Sequence, residues 1–326
     1  MFRVRTRKDG ICNIVNEESG EEVEIIYSHG LNISKLIFSK DGELVNVIYP
    51  HKNISELVKD PFSASGAFLI PFVGRIPNGT YIFDGKRYDL RNDVKEGEVK
   101  HGLLYNRSWT LSKVEESKSY GMLEFNYTLD PNEFSGYPFE LSACARVVLR
   151  PDGLEVLSLV KNIGENKLPL AFGWHPYLTL SESTINDYFL KVPAEKVVVL
   201  DESKTPTGEK MDVSLCAYDF RSFRKIGQLE MDVVYIDLVY SDDRVYTTLY
   251  DDKSNFGVAL WQDRKYRFIV IYTPPHRRSI AIEPWTSAPN CFNKPVLGLI
   301  VLPPQEKIEA KFGVMKIYGM DEIKIS

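Results

Sequence analysis

Cysteine is scarce in this sequence, and the few cysteines are widely separated. Only four occur among the 326 residues, at Cys12, Cys144, Cys216 and Cys291. No two have the spacing of a CxxC metal pair, and four scattered thiols do not form a dense disulfide framework. This usage is typical of a reducing compartment, and we therefore expect a cytoplasmic protein.

Long apolar runs are also missing. No stretch approaches the roughly 18 consecutive apolar residues that a membrane-spanning helix requires. The first ten residues, MFRVRTRKDG, are too polar to begin a secretory signal. The sequence therefore predicts an intracellular protein that does not associate with membranes.

Positive charge is not in excess. The chain has 45 acidic and 40 basic residues, which gives a formal net charge of −5. Binding to nucleic acid relies on clustered positive charge, and so this class of partner is not expected. The 44% hydrophobic and 12% aromatic content is that of a globular protein with a sizeable core. Composition does not determine an oligomeric state.

Helical periodicity is scarce, and the best short candidate is SELVK at residues 55–59. Short strand-like runs bounded by turn residues recur instead. The clearest are residues 121–130, 140–150 and 153–162, with a tight turn at Pro151-Asp152-Gly153, and two further hairpins at 245–262 and 267–285. Many short strands without intervening helices predict an all-β sandwich, which we interpret as a single domain over residues 1–326.

The stretch AFGWHPYLTL, residues 171–180, combines a complete apolar face with a histidine. Side chains alternate between the faces of a strand. One face is apolar, with Phe172, Trp174, Pro176, Leu178 and Leu180. His175 lies on the other face, with Ala171, Gly173, Tyr177 and Thr179. Small neighbours leave room for another molecule, which indicates that His175 faces a cleft.

The stretch SIAIEPW, residues 279–285, has the same design. Glu283 shares a face with Ser279, Ala281 and Trp285, whereas the isoleucines and the proline form the packed face. A proline directly follows both His175 and Glu283. Proline interrupts the hydrogen-bond ladder, so we expect both residues at the rim of a sheet. Histidine and glutamate are also a natural pair for proton transfer.

Four segments together carry a resemblance to a known family: PFVGRIPNGTYIFDGKRYDL (71–90), KHGLLYNRSW (100–109), FGWHPYL (172–178) and IEPWTSAPN (282–290). In this order they resemble the signature segments of the aldose 1-epimerase family, which contains the mutarotases and their hexose-6-phosphate epimerase relatives. The resemblance implies a large antiparallel β sandwich, the galactose mutarotase-like supersandwich, with a sugar cleft on one sheet. The GWHPY form is more similar to the sugar-phosphate epimerase-like branch.

The resemblance also implies an isomerase that interconverts the α and β anomers of a hexose or hexose phosphate. In this family's chemistry His175 is the general acid and Glu283 the general base, and ring opening needs Glu283 ionised and His175 protonated at the start. Because only protons move, neither a cofactor nor a metal is expected. The implied partner is a small-molecule sugar or sugar phosphate.

Further substrate-binding residues follow from the same resemblance. His101 matches a second histidine of the site, and Arg75 matches an arginine that hydrogen-bonds sugar hydroxyls. Asp232 resembles the substrate-binding aspartate, with nearby Asp237 as the alternative. By their faces, Tyr177 and Trp285 are candidates for contact with the sugar, and Trp285 is equally suited to core packing.

Several other interpretations stay open on the sequence alone. His101 could stabilise a turn, and Arg75 could pair with Asp84 or Asp89. Arg277 and Arg278 could receive a phosphate or form a solvated loop with His276. His29 and His51 are interpreted as ordinary loop residues, and a three-histidine zinc site is disfavoured because no ligand spacing is present. The competing functions are a non-catalytic carbohydrate-binding sandwich and a glycoside hydrolase that uses Glu283 with Asp232.

Overall fold

The computed structural model describes residues 1–50, 54–59, 64–94 and 98–319, and these are mostly β-strand. One α-helix, α1 (Ile54–Lys59), lies at the helical candidate identified from the sequence. Short 3₁₀ turns occur at Pro77–Gly79, Ile185–Asp187, Val213–Leu215 and Pro295–Leu297. No helix of the described ranges has the length and apolar character needed to cross a membrane.

The described residues form 26 strands. In chain order they are β1 (Phe2–Thr6), β2 (Ile11–Asn16), β3 (Glu22–Ile26), β4 (Asn32–Lys40), β5 (Glu43–Asn46), β6 (Phe68–Leu69), β7 (Thr80–Phe83), β8 (Lys86–Asp89), β9 (Thr110–Glu116), β10 (Gly121–Leu129), β11 (Leu141–Arg150), β12 (Gly153–Asn162), β13 (Leu168–Leu170), β14 (Gly173–Trp174), β15 (Tyr177–Leu178), β16 (Phe189–Lys191), β17 (Ala194–Leu200), β18 (Pro206–Asp212), β19 (Arg224–Lys225), β20 (Asp232–Leu238), β21 (Arg244–Asp251), β22 (Phe256–Asp263), β23 (Phe268–Tyr272), β24 (Ile280–Trp285), β25 (Ile300–Leu302) and β26 (Lys307–Tyr318).

Three antiparallel sheets contain most of these strands. The largest has nine strands in the order β19-β16-β21-β22-β26-β12-β11-β10-β9. A second has the order β18-β17-β20-β23-β24-β14-β6, with β15 paired to β24 beside β14, and a third has the order β1-β2-β3-β4-β5. The hairpin turn predicted at Pro151-Asp152-Gly153 is confirmed, since Arg150 pairs with Gly153 where β11 meets β12.

Aromatic side chains join the nine-stranded sheet to the eight-stranded one. Trp174 of β14 stacks on Phe312 of β26, with ring centroids 4.8 Å apart, and Phe68 of β6 contacts the same ring. These side chains are almost fully buried. Two antiparallel sheets packed through their inner faces form a β sandwich, which confirms the predicted fold class.

The eight-stranded sheet positions the site through its register. Gly173 pairs with Trp285, and Tyr177 pairs with Ala281, so His175 lies between these pairs, opposite Glu283. Pro176 separates β14 from β15, as the sequence indicated. The expected rim position is wrong for Glu283, because β24 is an interior strand with neighbours on both sides. The ladder is already interrupted between β14 and β15, which is where a sheet can accommodate a proline such as Pro284.

Candidate active site

His175 and Glu283 meet on one face of the eight-stranded sheet. The imidazole Nε2 lies 3.4 Å from the carboxyl Oε2, and the two residues are only 6% and 2% exposed. Strand alternation places both side chains on the face opposite the packed Trp174. The structure therefore brings together the two residues that the sequence nominated for proton transfer.

His101 reaches the same place from a tight loop. Its backbone has the left-handed φ of 63°, and its N–H donates to the carbonyl of Gly74 at 3.0 Å. Gly102 follows with φ 81°, where a Cβ atom would lie 2.3 Å from the carbonyl oxygen of Ile70, so only glycine fits. The imidazole of His101 then packs edge-on against His175, with centroids 4.9 Å apart. Its backbone makes the turn bond, which leaves the ring for the site.

Arg75 lies beside His101 and is anchored by a neighbouring glutamate. The guanidinium Nε donates to Oε2 of Glu98 at 2.8 Å. The alternative partners considered from the sequence are not used: no ion pair joins Arg75 to Asp84 or Asp89 in the described residues, and Asp89 instead binds Arg91 at its own strand end. Burial is the main cause of the lowered pKa of His101, and charge on His175, Lys100 and Arg75 lowers it further, which indicates that Arg75 is near the histidines.

Asp232 and Asp237 have different surroundings, although both lie on β20. Asp232 is close enough to Glu283 for its charge to raise the pKa of that carboxyl. Asp237 has a left-handed φ of 56° and forms ion pairs with two lysines, Lys196 at 3.3 Å and Lys210 at 3.4 Å. Of the two aspartates, Asp232 is therefore the one that adjoins the catalytic candidates.

Tyr177 and Trp285 flank the pair, but both are more buried than an open stacking surface would be, at 4% and 3% exposure. The Tyr177 ring stacks on His175, with centroids 5.0 Å apart and 20° between the planes. The indole of Trp285 covers Gly173, where a Cβ atom would lie 2.4 Å from Cδ1 of the indole. This contact explains the glycine two residues before the histidine.

The arginines of the 273–279 turn do not form a phosphate-binding pair. Arg277 is committed to the fold: its guanidinium donates to Oδ1 of Asn186 and to the carbonyls of Leu229 and Gly227. Arg278 is exposed and lies over the ring of Tyr49, 5.4 Å from its centroid. The structure therefore does not support Arg277 as a phosphate ligand, because each of its three guanidinium nitrogens already donates to an oxygen of the protein, one of Asn186 and two of the backbone.

Two tyrosines of the site were missed from the sequence. Tyr272 pairs with Ala281 on one side and with Asp232 on the other, and contacts Tyr177 edge-to-face with centroids 6.5 Å apart. Tyr49 donates its N–H to the carbonyl of Tyr177 at 2.8 Å. Alternation in RFIVIYT marked the face of Tyr272, but only the pairing of strands shows what lies beside it.

The remaining histidines of the described ranges do not form a metal centre. His29 lies in the loop between β3 and β4, as interpreted, whereas His51 lies outside the described residues. Within the ranges that the structure describes, no group of three or more His, Cys, Asp or Glu side chains is arranged to hold a metal ion.

Burial controls the protonation of the catalytic candidates. It lowers the pKa of His175 to about 3, and it raises the pKa of Glu283 well above its ordinary value, with a further increase from the charge of Asp232. Burial also lowers the pKa of His101 well below its ordinary value. Before sugar binds, burial therefore favours the uncharged forms of all three groups: neutral imidazoles at His175 and His101, and a protonated carboxyl group at Glu283. These directions oppose the expected starting state, with Glu283 ionised and His175 protonated, which stays a prediction for the sugar-bound protein.

Comparison with known proteins identifies the class. A family model described as aldose 1-epimerase matches residues 15–314. The chain belongs to this family and is an isomerase of the epimerase type. This assignment removes support for the glycoside hydrolase interpretation.

The individual relatives described below share less than a third of their residues with this chain. The chain is 28% identical to the protein YihR of Escherichia coli (strain K12) over 285 residues, covering 86% of this chain and 85% of that protein. It is 26% identical over 211 residues to the galactose mutarotase of Homo sapiens, covering 62% of this chain and 58% of that enzyme. A galactose mutarotase-like protein from Clostridium acetobutylicum has a similar structure, with a TM-score of 0.83, 20% identity and 98% coverage of both chains.

Proposed function

We propose that this protein interconverts the α and β anomers of a hexose or hexose phosphate by acid–base ring opening. The observation that carries the proposal is the 3.4 Å approach of His175 Nε2 to Glu283 Oε2 in a buried site. An imidazole and a carboxyl group are costly to bury, and perturbed titratable pairs of this kind are concentrated at catalytic sites. A site that only held sugar would not need them.

Ring opening requires two proton transfers, one at each of the two oxygens bonded to the anomeric carbon of the sugar. The anomeric hydroxyl loses its proton while the ring oxygen gains one, and the bond between the anomeric carbon and the ring oxygen breaks. Rotation about the adjacent carbon–carbon bond and closure on the other carbonyl face give the second anomer. The His175–Glu283 pair carries a single proton, so one member donates while the other accepts, and closure reverses both transfers.

The position of that proton responds to the substrate. Before sugar binds, burial favours its position on Glu283, whereas the family's assignment places it on His175 so that Glu283 can act as the base. Sugar hydroxyls that donate to the carboxyl oxygens stabilise its ionised form. The proton then has a short path to Nε2 of His175, since the two atoms lie 3.4 Å apart. Substrate binding therefore prepares the acid and the base without any change in the total charge of the pair.

The surrounding residues supply hydrogen bonds for the other hydroxyls. Asp232 offers acceptor oxygens at one side of Glu283, and His101 adjoins His175 on the other. Nε of Arg75 is bound to Glu98, which fixes the guanidinium while its terminal nitrogens can donate to the sugar. Because the reaction moves only protons and one carbon–oxygen bond, the proposed mechanism includes no cofactor.

Anomer exchange measured by NMR saturation transfer tests the proposal with glucose, galactose and glucose 6-phosphate. Wild type is expected to accelerate exchange of at least one of these sugars. His175→Asn and Glu283→Gln should each reduce the rate by at least about 10²-fold, the usual scale of acid–base catalysis.

Glu309→Gln is the matched control, because Glu309 is exposed on β26 and pairs only with Lys307 in the described residues. It should leave the rate unchanged. Sugar binding without accelerated exchange would instead support the non-catalytic carbohydrate-binding interpretation.

A further inference from the structure

The imidazole of His175 is held without a hydrogen bond from its second nitrogen to another side chain. Nδ1 is buried and makes no hydrogen bond to another described residue, and apart from its contact with Glu283 the ring has a polar interaction only with the backbone of His175 itself. A functional histidine is usually oriented by a bond from its second nitrogen to a carboxylate or a carbonyl. A bond within one residue does not tie the ring to a neighbouring segment, so contacts with other side chains contribute to its orientation against Glu283.

Aromatic rings enclose His175 on two sides. Tyr177 lies parallel to the imidazole, with centroids 5.0 Å apart and planes 20° apart. His101 meets it edge-on at 72°. The flat contact limits rotation of the imidazole about its bond to Cβ and covers one of its faces, whereas an edge contact alone permits more rotation.

Tyr177 is itself fixed by the sheet. It pairs with Ala281 on one side, whose short side chain leaves space on this face, and its carbonyl accepts from the N–H of Tyr49 on the other. Tyr272 closes the far side of its ring, with planes at 84°. Tyr177 is only 4% exposed, so it has little surface left for a sugar, whereas one face of its ring packs against His175.

We propose that Tyr177 is a positioning residue, which acts on the reaction by holding the His175 ring in line with Glu283 and not by binding the sugar. This inference rests on the proposed function, and it replaces the substrate-binding role expected from the sequence. The contact depends on the aromatic face, so phenylalanine should substitute and an aliphatic side chain should not.

Several charged and titratable groups surround His175. Glu283 and His101 contact it, and Lys100 contributes to its lowered pKa. Asp232 acts on Glu283, Arg75 acts on His101, and Tyr272 contacts Tyr177. Substitution at Tyr177 leaves these side chains in the sequence, and a comparison of Tyr177→Phe with Tyr177→Leu separates the loss of the ring from the loss of the hydroxyl.

The test compares Tyr177→Phe with Tyr177→Leu. Histidine ¹⁵N NMR can resolve five imidazoles in this chain, and the His175 signal is assigned by its loss in His175→Asn. Wild type and Tyr177→Phe are expected to show one fixed neutral tautomer of His175 at pH 7. Tyr177→Leu is expected to show exchange between tautomers and a pKa closer to 6.5 as water reaches the ring.

Kinetics provide the second measurement. Tyr177→Leu should reduce kcat about 10- to 100-fold with KM within about 3-fold of wild type, because misplacement of a reacting group slows the chemical step. Tyr177→Phe should remain within about 3-fold in both. The matched control is Tyr235→Leu, which removes a buried tyrosine from the packed face of the same sheet and should leave the His175 spectrum unchanged.

Three results would overturn the inference. A rise in KM with kcat unchanged would place Tyr177 in contact with the sugar. A defect in Tyr177→Phe equal to that in Tyr177→Leu would assign the role to the hydroxyl. An unaltered His175 spectrum in Tyr177→Leu would show that the stack does not hold the ring. Because the NMR measurement needs no turnover, it decides the positioning role even if the wild type fails to exchange anomers.

Discussion

The indole of Trp285 occupies the space where any side chain at Gly173 would lie. The clash would be severe: a Cβ atom at Gly173 would be 2.4 Å from Cδ1 of the indole and 2.9 Å from the carbonyl oxygen of Pro284. Both neighbours belong to β24, the strand that carries Glu283. The smallness of Gly173 therefore determines how closely the histidine segment approaches the glutamate segment.

Gly173→Ala should consequently weaken both the fold and the site. Overpacking of this kind typically destabilises a protein by about 1–3 kcal/mol, and displacement of β24 should separate Glu283 from His175. Denaturant unfolding and anomer exchange measure the two effects. Gly164→Ala is the control. A Cβ atom there would lie 3.3 Å from its nearest neighbour, a side-chain atom of Glu140, and this position is far from the site. An active Gly173→Ala variant of wild-type stability would contradict this account of the packing.

The pH profile of kcat/KM should have an unusually broad plateau. The active pair holds one proton, so activity is lost at low pH when neutral His175 gains a second proton, and at high pH when the pair loses its only proton. Burial lowers the pKa of His175 to about 3 and raises the pKa of Glu283, so both limits move outward. Activity should thus persist at pH 5, after correction for the uncatalysed rate. A half-loss near pH 6.5 would show that His175 titrates as an ordinary imidazole.

Asp232 and Asp237 offer a paired comparison on one strand. Asp232→Asn should raise KM and lower kcat/KM by about 10- to 100-fold, since it removes a charged acceptor next to the sugar. Asp237→Asn should leave both parameters close to wild type, because that carboxylate pairs with two lysines away from Glu283. Steady-state kinetics on the same sugar decide between them. The opposite ranking of the two variants would move the substrate-binding role to Asp237.

Face alternation could be predicted from the sequence because it depends only on local geometry. The faces assigned within 171–180 and 279–285 agree with the structure: Trp174 packs against Phe312, whereas His175 lies against Glu283. The β-sandwich class followed from strand-like runs that local turn residues delimit. Both predictions needed no knowledge of which strands are neighbours.

Strand pairing and burial depth could not be predicted in the same way. The interior position of Glu283 depends on β14 and β15, which come from a distant segment and pair with the side of β24 that its hairpin partner β23 leaves open, and so the rim expectation was wrong. Tyr272 joins the site only because its strand lies between those of Asp232 and Ala281. The same burial shifts the pKa values of His175 and Glu283 towards their uncharged forms, which the local sequence does not indicate. The three oxygen acceptors of Arg277 likewise come from distant segments.

The central claim is that His175 and Glu283 act as one proton-transfer unit, and a double-mutant comparison tests it most directly. Saturation-transfer rates would be measured for His175→Asn, for Glu283→Gln and for the variant that carries both substitutions. The rate losses caused by substituting residues that act as a unit are not additive. The rate of the double variant should therefore lie within about 3-fold of the rate of the slower single variant. Additive losses, with the double variant slower by the product of both single effects, would show that the two side chains contribute independently and would contradict the mechanism.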